Sequence, residues 1–325
     1  MANTISSKRG TAVKPGHLGS QSSSAQIKPF LRWAGGKRRL TGLLMESFPE
    51  HFNNSKSRFY EPFVGGGALA FATGDSKNFP FIPGKNLYIN DSNPDLVIVY
   101  KTLRDKFDEL IAELNILSSD VSKKAYEEVR ASNPRSEVKR AARFIYLNKT
   151  CFNGLWRVNS SGQFNVPWGQ LKNPLIYDPA QLAKCSERLK NSSISNENFT
   201  NAVKSAREGD LVYFDPPYIP LSVTASFSQY AKGNFGLSDH EVLAETIKSL
   251  TSKGVFVILS NSDTEDTRRI FKSSLTLRQI SMNRSISAAS GSRKPVNEVI
   301  GTNFPSARGT LLSALPVISR LKAGI

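Results

Sequence analysis

This sequence has few of the residues from which covalent or metal-bound scaffolds are built. Its 325 residues include two cysteines, Cys151 and Cys185, and three histidines, with no Cys-x-x-Cys pair. We therefore expect neither a disulfide framework nor a metal site. The chain also lacks any apolar run near the roughly 20 residues that cross a bilayer, and its start lacks an apolar signal region. These absences predict a cytoplasmic protein without a membrane segment.

Acidic residues are also in short supply. The chain has 27 Asp and Glu residues against 43 Lys and Arg residues, which gives a formal net charge of +16. A balance this basic favours a polyanionic partner, and no basic amphipathic helix points to a membrane surface. We therefore expect the partner to be nucleic acid.

The hydrophobic pattern predicts an α/β protein with a Rossmann-like, doubly wound sheet. Four segments have the pattern of short buried strands: 58–63, 86–90, 211–214 and 254–259. Each of the first two leads into a helical pattern, and such a βαβα opening is typical of a doubly wound sheet. The apolar spacing predicts one helix over 94–114. The spacing of Ser238 and Glu241 predicts a capping box that starts a further helix.

Composition divides the chain into a core, an insertion and two tails. The α/β pattern gives way to helical stretches at 122–131 and 136–149, followed by an irregular region rich in Asn, Gly, aromatic residues and Arg. The first residues are polar and basic, and the last are poorly patterned, so both ends are expected to be poorly ordered. The predicted boundaries are a tail at 1–27, the sheet at 28–119 and 206–304, the insertion at 120–205 and a tail at 305–325.

The most informative motif is Asp215-Pro216-Pro217-Tyr218, which closes the predicted strand at 211–214. A polar residue at the carboxyl end of such a strand faces the crevice in which ligands bind. Proline lacks an N–H, so a carboxylate and a free backbone carbonyl form a double acceptor suited to an NH2 group. Tyr218 offers a flat face for a planar ring. Because Asp-Pro is also common in turns, the motif alone leaves a simple turn open.

A second motif places glycines after the first strand and an acid after the second. Phe63 precedes Gly65 and Gly67, and Asp91 follows the next strand. Glycines permit close approach of the backbone to a ligand, and an acid at this place accepts hydrogen bonds from a ribose. Neither this loop nor 34–37 fits the Walker A pattern, which disfavours nucleotide hydrolysis. S-adenosylmethionine fits better, because it carries a ribose without phosphate and a cation suited to aromatic faces and carboxylates.

A third motif, Phe-Leu-Arg-Trp-Ala-Gly-Gly-Lys, lies at 30–37, before Glu-Pro-Phe-Val-Gly-Gly-Gly at 61–67 and the motif at 215–218. In this order the three blocks resemble those of the DNA adenine-N6 methyltransferases of the Dam type, the alpha group of the D12 class. The segments 147–159 and 162–169 resemble the family's DNA-recognition segment. The segment 284–294 resembles its late loop and hairpin. The likeness covers roughly residues 28–304.

The resemblance implies a class I S-adenosylmethionine-dependent methyltransferase fold and site-specific methylation of adenine N6 in DNA. The residues that it places against the cofactor are Trp33, Lys37, Phe63, Gly65, Gly67, Asp91 and Asp215. Those that it places around the target adenine are Asp215, Pro216, Pro217 and Tyr218. A flipped adenine would donate its N–H bonds to the Asp215 carboxylate and the Pro216 carbonyl while it stacks on Tyr218.

The resemblance also implies how DNA is contacted. The residues concerned are Phe152, Asn153, Leu155, Arg157 and Pro167, with Arg284 and Arg293 in the late loop. Phe152 would fill the stack that the adenine leaves, and Arg157 would bind a guanine edge. The implied target is GATC in double-stranded DNA, contacted by a mainly helical recognition domain at 120–205. A monomer in solution is expected.

Other functions remain open at this level. An N4-cytosine methyltransferase could use the same double acceptor, although its motif usually begins with Ser. A glutamine-methylating enzyme of translation typically begins with Asn and would lack the insertion. A DNA-binding protein with an inactive methylase fold would not need its glycine loop, Asp91 and Asp215 intact. An active DNA adenine methyltransferase is therefore the expectation.

Overall fold

A seven-stranded sheet organises the protein. The computed structural model describes residues 27–33, 35, 37, 40–50, 52, 56–74, 82–219, 235–282 and 296–305. Its strands are β1 Phe59–Glu61, β2 Leu87–Asn90, β3 Ser193–Ser195, β4 Leu211–Phe214, β5 Phe256–Ser262, β6 Thr276–Met282 and β7 Val296–Thr302. Their order across the sheet is β3-β2-β1-β4-β5-β7-β6. The first five strands run parallel, and β7 runs antiparallel between β5 and β6.

Helices cover the sheet on both faces. They are α1 Thr41–Glu46, α2 Ala68–Ala72, α3 Pro94–Asp105, α4 Phe107–Ser118, α5 Lys123–Ala131, α6 Glu137–Thr150, α7 Pro179–Leu189, α8 Phe199–Ala202, α9 Leu237–Ser252 and α10 Glu265–Phe271. Successive residues of β4 belong to two different core clusters, Leu211 and Tyr213 to one, Val212 and Phe214 to the other. Because side chains alternate along a strand, this division shows an apolar layer on each face of the sheet. The predicted doubly wound α/β architecture is confirmed.

Two helix predictions were wrong in detail. The helix expected over 94–114 is two helices, because Lys106 has φ −137° and ψ 47°, outside the helical region. The apolar spacing continues across that break, which is why the pattern suggested one helix. The helix expected to start at Ser238 begins at Leu237, and its N-cap residue is Gly236. The Asp239 carboxylate accepts a hydrogen bond from the Gly236 N–H at 2.8 Å.

The predicted insertion shares its core with the sheet domain. Helix α6 packs against α3 and α4, and most of its buried apolar side chains belong to the same cluster as one face of the sheet. The span 120–205 also contains β3, which pairs with β2 and forms one edge of the sheet. The segment is therefore joined to the sheet through packing and through backbone hydrogen bonds.

The remaining sequence predictions concern the two tails, membrane segments, and metal or disulfide sites. Except for Ile27 and Pro305, the predicted tails lie outside the described residues. None of the described helices is long and apolar enough to cross a bilayer. Within the same residues, no cluster of His, Cys, Asp and Glu has the geometry to hold a metal ion, and both cysteines are buried free thiols.

Candidate active site

Asp215 directly follows β4 and lies at the carboxyl end of the parallel strands. Its Oδ1 accepts a hydrogen bond from the Ser260 hydroxyl at 2.8 Å and lies 3.1 Å from the Lys37 ammonium. Burial raises the pKa of the Asp215 carboxyl, and the charge of Lys37 and the Ser260 hydrogen bond oppose that rise. Both contacts reach the same oxygen, so Oδ2 accepts no hydrogen bond from the described residues and is available to a ligand.

The groups behind Asp215 are fixed in turn. Ser260 accepts a hydrogen bond from the buried Tyr213 hydroxyl at 2.9 Å, since its own proton goes to Asp215. The side chain of Lys37 is only 7% exposed, and its ammonium also donates to the Gly35 carbonyl at 2.9 Å. The carboxylate therefore has one defined orientation rather than a set of solvated ones.

Tyr218 is held at both ends of its side chain. Its hydroxyl donates to Glu298 Oε2 at 2.8 Å, and the Lys37 ammonium lies 4.3 Å from its ring centroid. Burial raises the pKa of the Tyr218 phenol, so the hydroxyl keeps the proton that it donates. The next residue, Ile219, donates its N–H to Asn261 Oδ1 at 3.2 Å and accepts from the Ser262 hydroxyl. The segment after β4 is thus tied to β5 and β7.

The glycine loop between β1 and α2 is built on positive φ angles. Gly65 has φ +47° and Gly67 has φ +70°, a region that side chains other than glycine rarely adopt. The Gly65 N–H donates to the Asp91 carboxylate at 3.0 Å, and its carbonyl accepts from the Tyr100 hydroxyl at 2.8 Å. A Cβ on Gly65 would lie 2.7 Å from Cδ1 of Trp33. The loop, Asp91 and Trp33 are therefore one packed unit.

The two aromatic residues expected near the cofactor lie in different surroundings. Trp33 is half-buried and stacks on Phe144 with a centroid distance of 6.1 Å. Phe63 is half-buried and lies 5.4 Å from Phe199 and 5.5 Å from Phe235 between ring centroids. Each keeps part of its surface accessible, and both precede the glycines of the loop in sequence.

The sequence reasoning did not single out Glu61, which ends β1 and is 3% exposed. Its Oε2 has no hydrogen-bond partner among the described residues. Burial raises the pKa of the Glu61 carboxyl well above its ordinary value, and the charge of Asp215 raises it further. Glu61 is therefore a buried carboxyl at the end of β1 whose ionised form is disfavoured by its surroundings. Its position at the end of a parallel strand was the signal that could have identified it.

Five of the seven residues expected to contact DNA lie on one exposed segment after α6. Phe152 is 49% exposed and Leu155 is 40% exposed, which is unusual for large apolar side chains. Asn153 has φ +54°, and the Phe152 N–H donates to the Pro167 carbonyl at 2.9 Å. Arg157 is exposed and its Nε donates to Asn165 Oδ1 at 2.7 Å. The structure brings these five together, whereas Arg284 and Arg293 lie outside the described residues.

A buried amide joins this segment to the loop that carries Trp33 and Lys37. The Asn148 side chain accepts from the Arg32 N–H at 2.8 Å and donates to the Arg32 carbonyl at 2.7 Å. It also donates to the Gly154 carbonyl at 3.3 Å. One fully buried side chain therefore positions the exposed segment relative to the strand-end site.

The sheet order, with its antiparallel seventh strand, and the site at the strand ends define a class I methyltransferase. The family model of D12 class N6 adenine-specific DNA methyltransferases matches residues 33–286. The chain belongs to this family and is a DNA adenine-specific methyltransferase. This assignment excludes the N4-cytosine and glutamine alternatives that the motifs alone left open.

Proteins similar to this chain are named as methyltransferases or as a DNA adenine methylase. It is 40% identical over 292 residues to Type II methyltransferase M1.LlaDCHI of Lactococcus lactis subsp. cremoris, covering 87% of this chain and 98% of that protein. It is 38% identical over 293 residues to Type II methyltransferase M.MjaIII of Methanocaldococcus jannaschii, covering 86% and 100%. It is 32% identical over 282 residues to DNA adenine methylase of Escherichia coli K12, covering 86% and 96%.

Proposed function

We propose that this enzyme methylates N6 of an adenine that is flipped out of duplex DNA, with S-adenosylmethionine as the methyl donor. The observation that carries the proposal is the arrangement at Asp215, whose Oδ1 is held by Ser260 and Lys37 while Oδ2 is left to a ligand beside the Tyr218 ring. Adenine offers the matching groups, an exocyclic NH2 and a planar ring.

The test is methylation of a random-sequence duplex library with labelled S-adenosylmethionine. Sequencing of the modified sites and analysis of the modified nucleosides identify the target sequence and the base. We expect N6-methyladenine at one defined position. Modification of cytosine, or of adenine without sequence preference, would contradict the proposal.

The chain's own residues would act on the exocyclic nitrogen. Its lone pair is delocalised into the adenine ring, so the amine must be held with that lone pair directed out of the ring plane. Asp215 Oδ2 and the Pro216 carbonyl would accept its two N–H bonds, and no described residue donates a hydrogen bond to that carbonyl. Asp215 is positioned to receive the proton that the nitrogen releases. S-adenosylmethionine, when bound, supplies an electrophilic methyl group on a sulfonium ion.

The residues around the glycine loop fit this cofactor by their chemistry. Asp91 carries a carboxylate that already binds the Gly65 N–H and retains acceptor capacity for ribose hydroxyls. Trp33 and Phe63 offer partly accessible aromatic faces, and Gly65 and Gly67 keep the backbone free of side chains. We propose that these residues, with Lys37 and Asp215, hold the cofactor.

Substitution Gly65→Ala should weaken cofactor binding by about tenfold or more. The new Cβ would need φ +47° and would lie 2.7 Å from Trp33, so the loop or the indole must move, at a cost of order 1–3 kcal/mol. Equilibrium binding of S-adenosylmethionine measures the change. Gly42→Ala is the matched control, because a Cβ there meets nothing within 4 Å. Equal affinities of the two variants would contradict a role for this loop in cofactor binding.

We further propose that 120–205 is the DNA-recognition domain and that its exposed segment contacts the target sequence, GATC. The support is the family, the formal charge of +16 and the exposure of Phe152 and Leu155. Phe152 would enter the stack vacated by the adenine, and Asn153, Leu155, Arg157 and Pro167 would lie near base edges. We also propose that the enzyme acts in the cytoplasm of a bacterial or phage-infected cell, associated with the nucleoid through DNA.

Substitution Arg157→Ala should relax specificity at one guanine of the target. A bidentate arginine contact discriminates a guanine from other bases by about 1–3 kcal/mol. The measurement is the methylation rate on duplexes that differ from the target at single positions. Arg269→Ala, which removes an exposed arginine from α10, is the control for loss of charge. An unchanged sequence preference in Arg157→Ala would refute its role as a base contact.

A further inference from the structure

Glu298 is a carboxylate that no motif identified and that lies directly behind Tyr218. It belongs to β7, where it pairs in register with Ser262 of β5 and Ile280 of β6. Its Oε2 accepts a hydrogen bond from the Tyr218 hydroxyl at 2.8 Å, and the two residues are 80 positions apart in the sequence. Because β7 is antiparallel, a residue near its start reaches the edge where the parallel strands end.

The hydrogen bond constrains a ring that would otherwise have a free end. Tyr218 has its backbone fixed through Ile219 on β5, and Lys37 lies over the ring at 4.3 Å. These contacts leave the ring free to pivot at its hydroxyl end. A hydrogen bond from a neutral phenol to a carboxylate is about twice as strong as one between neutral groups, so Glu298 can hold that end in place.

We propose that Glu298 is a positioning residue that sets the plane of the Tyr218 ring for stacking of the target adenine. This inference rests on the proposed function and deepens it by adding a residue that acts through Tyr218 without touching the substrate. The position of the ring then fixes the adenine relative to Asp215, so loss of Glu298 affects turnover rather than affinity for DNA or cofactor.

A double-mutant cycle tests the inference. Single-turnover methylation is measured for the wild type, Glu298→Ala, Tyr218→Phe and the double variant on a duplex containing the preferred site. We expect about a tenfold loss in each single variant and the same tenfold loss in the double variant, since both substitutions remove one hydrogen bond. Glu298→Gln should restore most of the rate, because its amide oxygen accepts the same bond. Affinities for DNA and S-adenosylmethionine should stay within about twofold.

A spectroscopic signature separates positioning from general damage. With 2-aminopurine at the target position, looser stacking on Tyr218 should raise the emission of the Glu298→Ala complex above that of the wild type. Glu109→Ala, an exposed position on α4, is the control for loss of a carboxylate and should match the wild type in rate and emission.

Several outcomes would overturn the proposal. They are a wild-type rate in Glu298→Ala, losses that multiply to about a hundredfold in the double variant, or a failure of Glu298→Gln to restore activity. If Glu298→Ala does not fold, Tyr218→Phe tests the bond alone, and a wild-type rate there overturns the proposal too. Absence of methyl transfer in the wild-type enzyme would instead refute the proposed function, so the two failures are distinguishable.

Discussion

Replacing Asp215 by asparagine or alanine should lower the rate of methyl transfer by about a thousandfold or more, the scale expected when a catalytic acceptor is removed. Asparagine nearly keeps the shape of aspartate, but its amide has one acceptor oxygen in place of two. That oxygen would be used by Ser260 and Lys37, and an NH2 donor would face the incoming amine. Two donors cannot bond to each other, so the exocyclic nitrogen of the adenine would lose its acceptor.

Binding must be measured beside the rate. We expect Asp215→Asn to retain affinity for DNA close to that of the wild type, because the exposed segment around Phe152 is unchanged. Single-turnover methylation and equilibrium DNA binding give the two quantities, and Asp266→Asn on α10 controls for loss of an exposed carboxylate. Near-normal turnover of Asp215→Asn would rule out the role assigned to Asp215.

Lys37→Met should give the second large effect, a rate about a hundredfold lower near neutral pH, as is typical when one fixed charge is removed from a catalytic site. The charge of Lys37 is the largest influence that opposes the raised pKa of the Asp215 carboxyl. Without it the pKa of Asp215 rises further, and less of the carboxylate is ionised. Methionine keeps most of the apolar length of the side chain and removes the ammonium, with its charge and its hydrogen bond to the Gly35 carbonyl.

The pH dependence distinguishes this cause from loss of cofactor contacts. An acid whose pKa is raised loses its ionised form as pH falls through that raised value, so the acid limb of the rate profile should move to higher pH in Lys37→Met. Raising the pH should recover part of the rate. The variant should also lose stability more steeply than the wild type as pH rises above the ordinary pKa of Asp, because its folded state binds the extra proton.

Lys248→Met on α9 is the control for removing an ammonium from the surface. A lower rate in Lys37→Met with an unshifted acid limb and a raised KM for S-adenosylmethionine would show that Lys37 acts only on the cofactor.

Local patterns were sufficient to predict the elements that carry the strand-end site. The strand Leu211–Phe214 has the predicted bounds, and the glycine loop leads into α2 as expected. These features depend on burial and turn chemistry within a few residues, which a sequence displays directly. Strand β3 was missed because its three residues include a single apolar side chain, Ile194, and it forms only by pairing with β2.

The contacts that join distant segments could not be predicted in this way. Glu298 meets Tyr218 across 80 positions, and Asn148 binds Arg32 across 116. Each partner looks ordinary in its own surroundings, an acid in a strand or an amide in a helix. The meeting of Glu298 with Tyr218 is a consequence of the sheet order, in which the last strand is placed between two earlier ones, and that of Asn148 with Arg32 depends on how α6 packs in the tertiary structure.

That strand order also governs how the protein can fold while it is being synthesised. Strand β6 pairs with β7 in the sheet. A nascent chain that has emerged only through residue 282 therefore lacks the strand with which β6 pairs. Strand β5 meanwhile presents an apolar edge, Val-Ile-Leu, that is open to pairing with other chains. At about 5–20 residues per second, the ribosome needs about one to four seconds to deliver residues 283–302. Until then β6 lacks its partner in the sheet and the apolar edge of β5 stays unpaired, so we expect the nascent chain to be most prone to pairing with other chains during this interval.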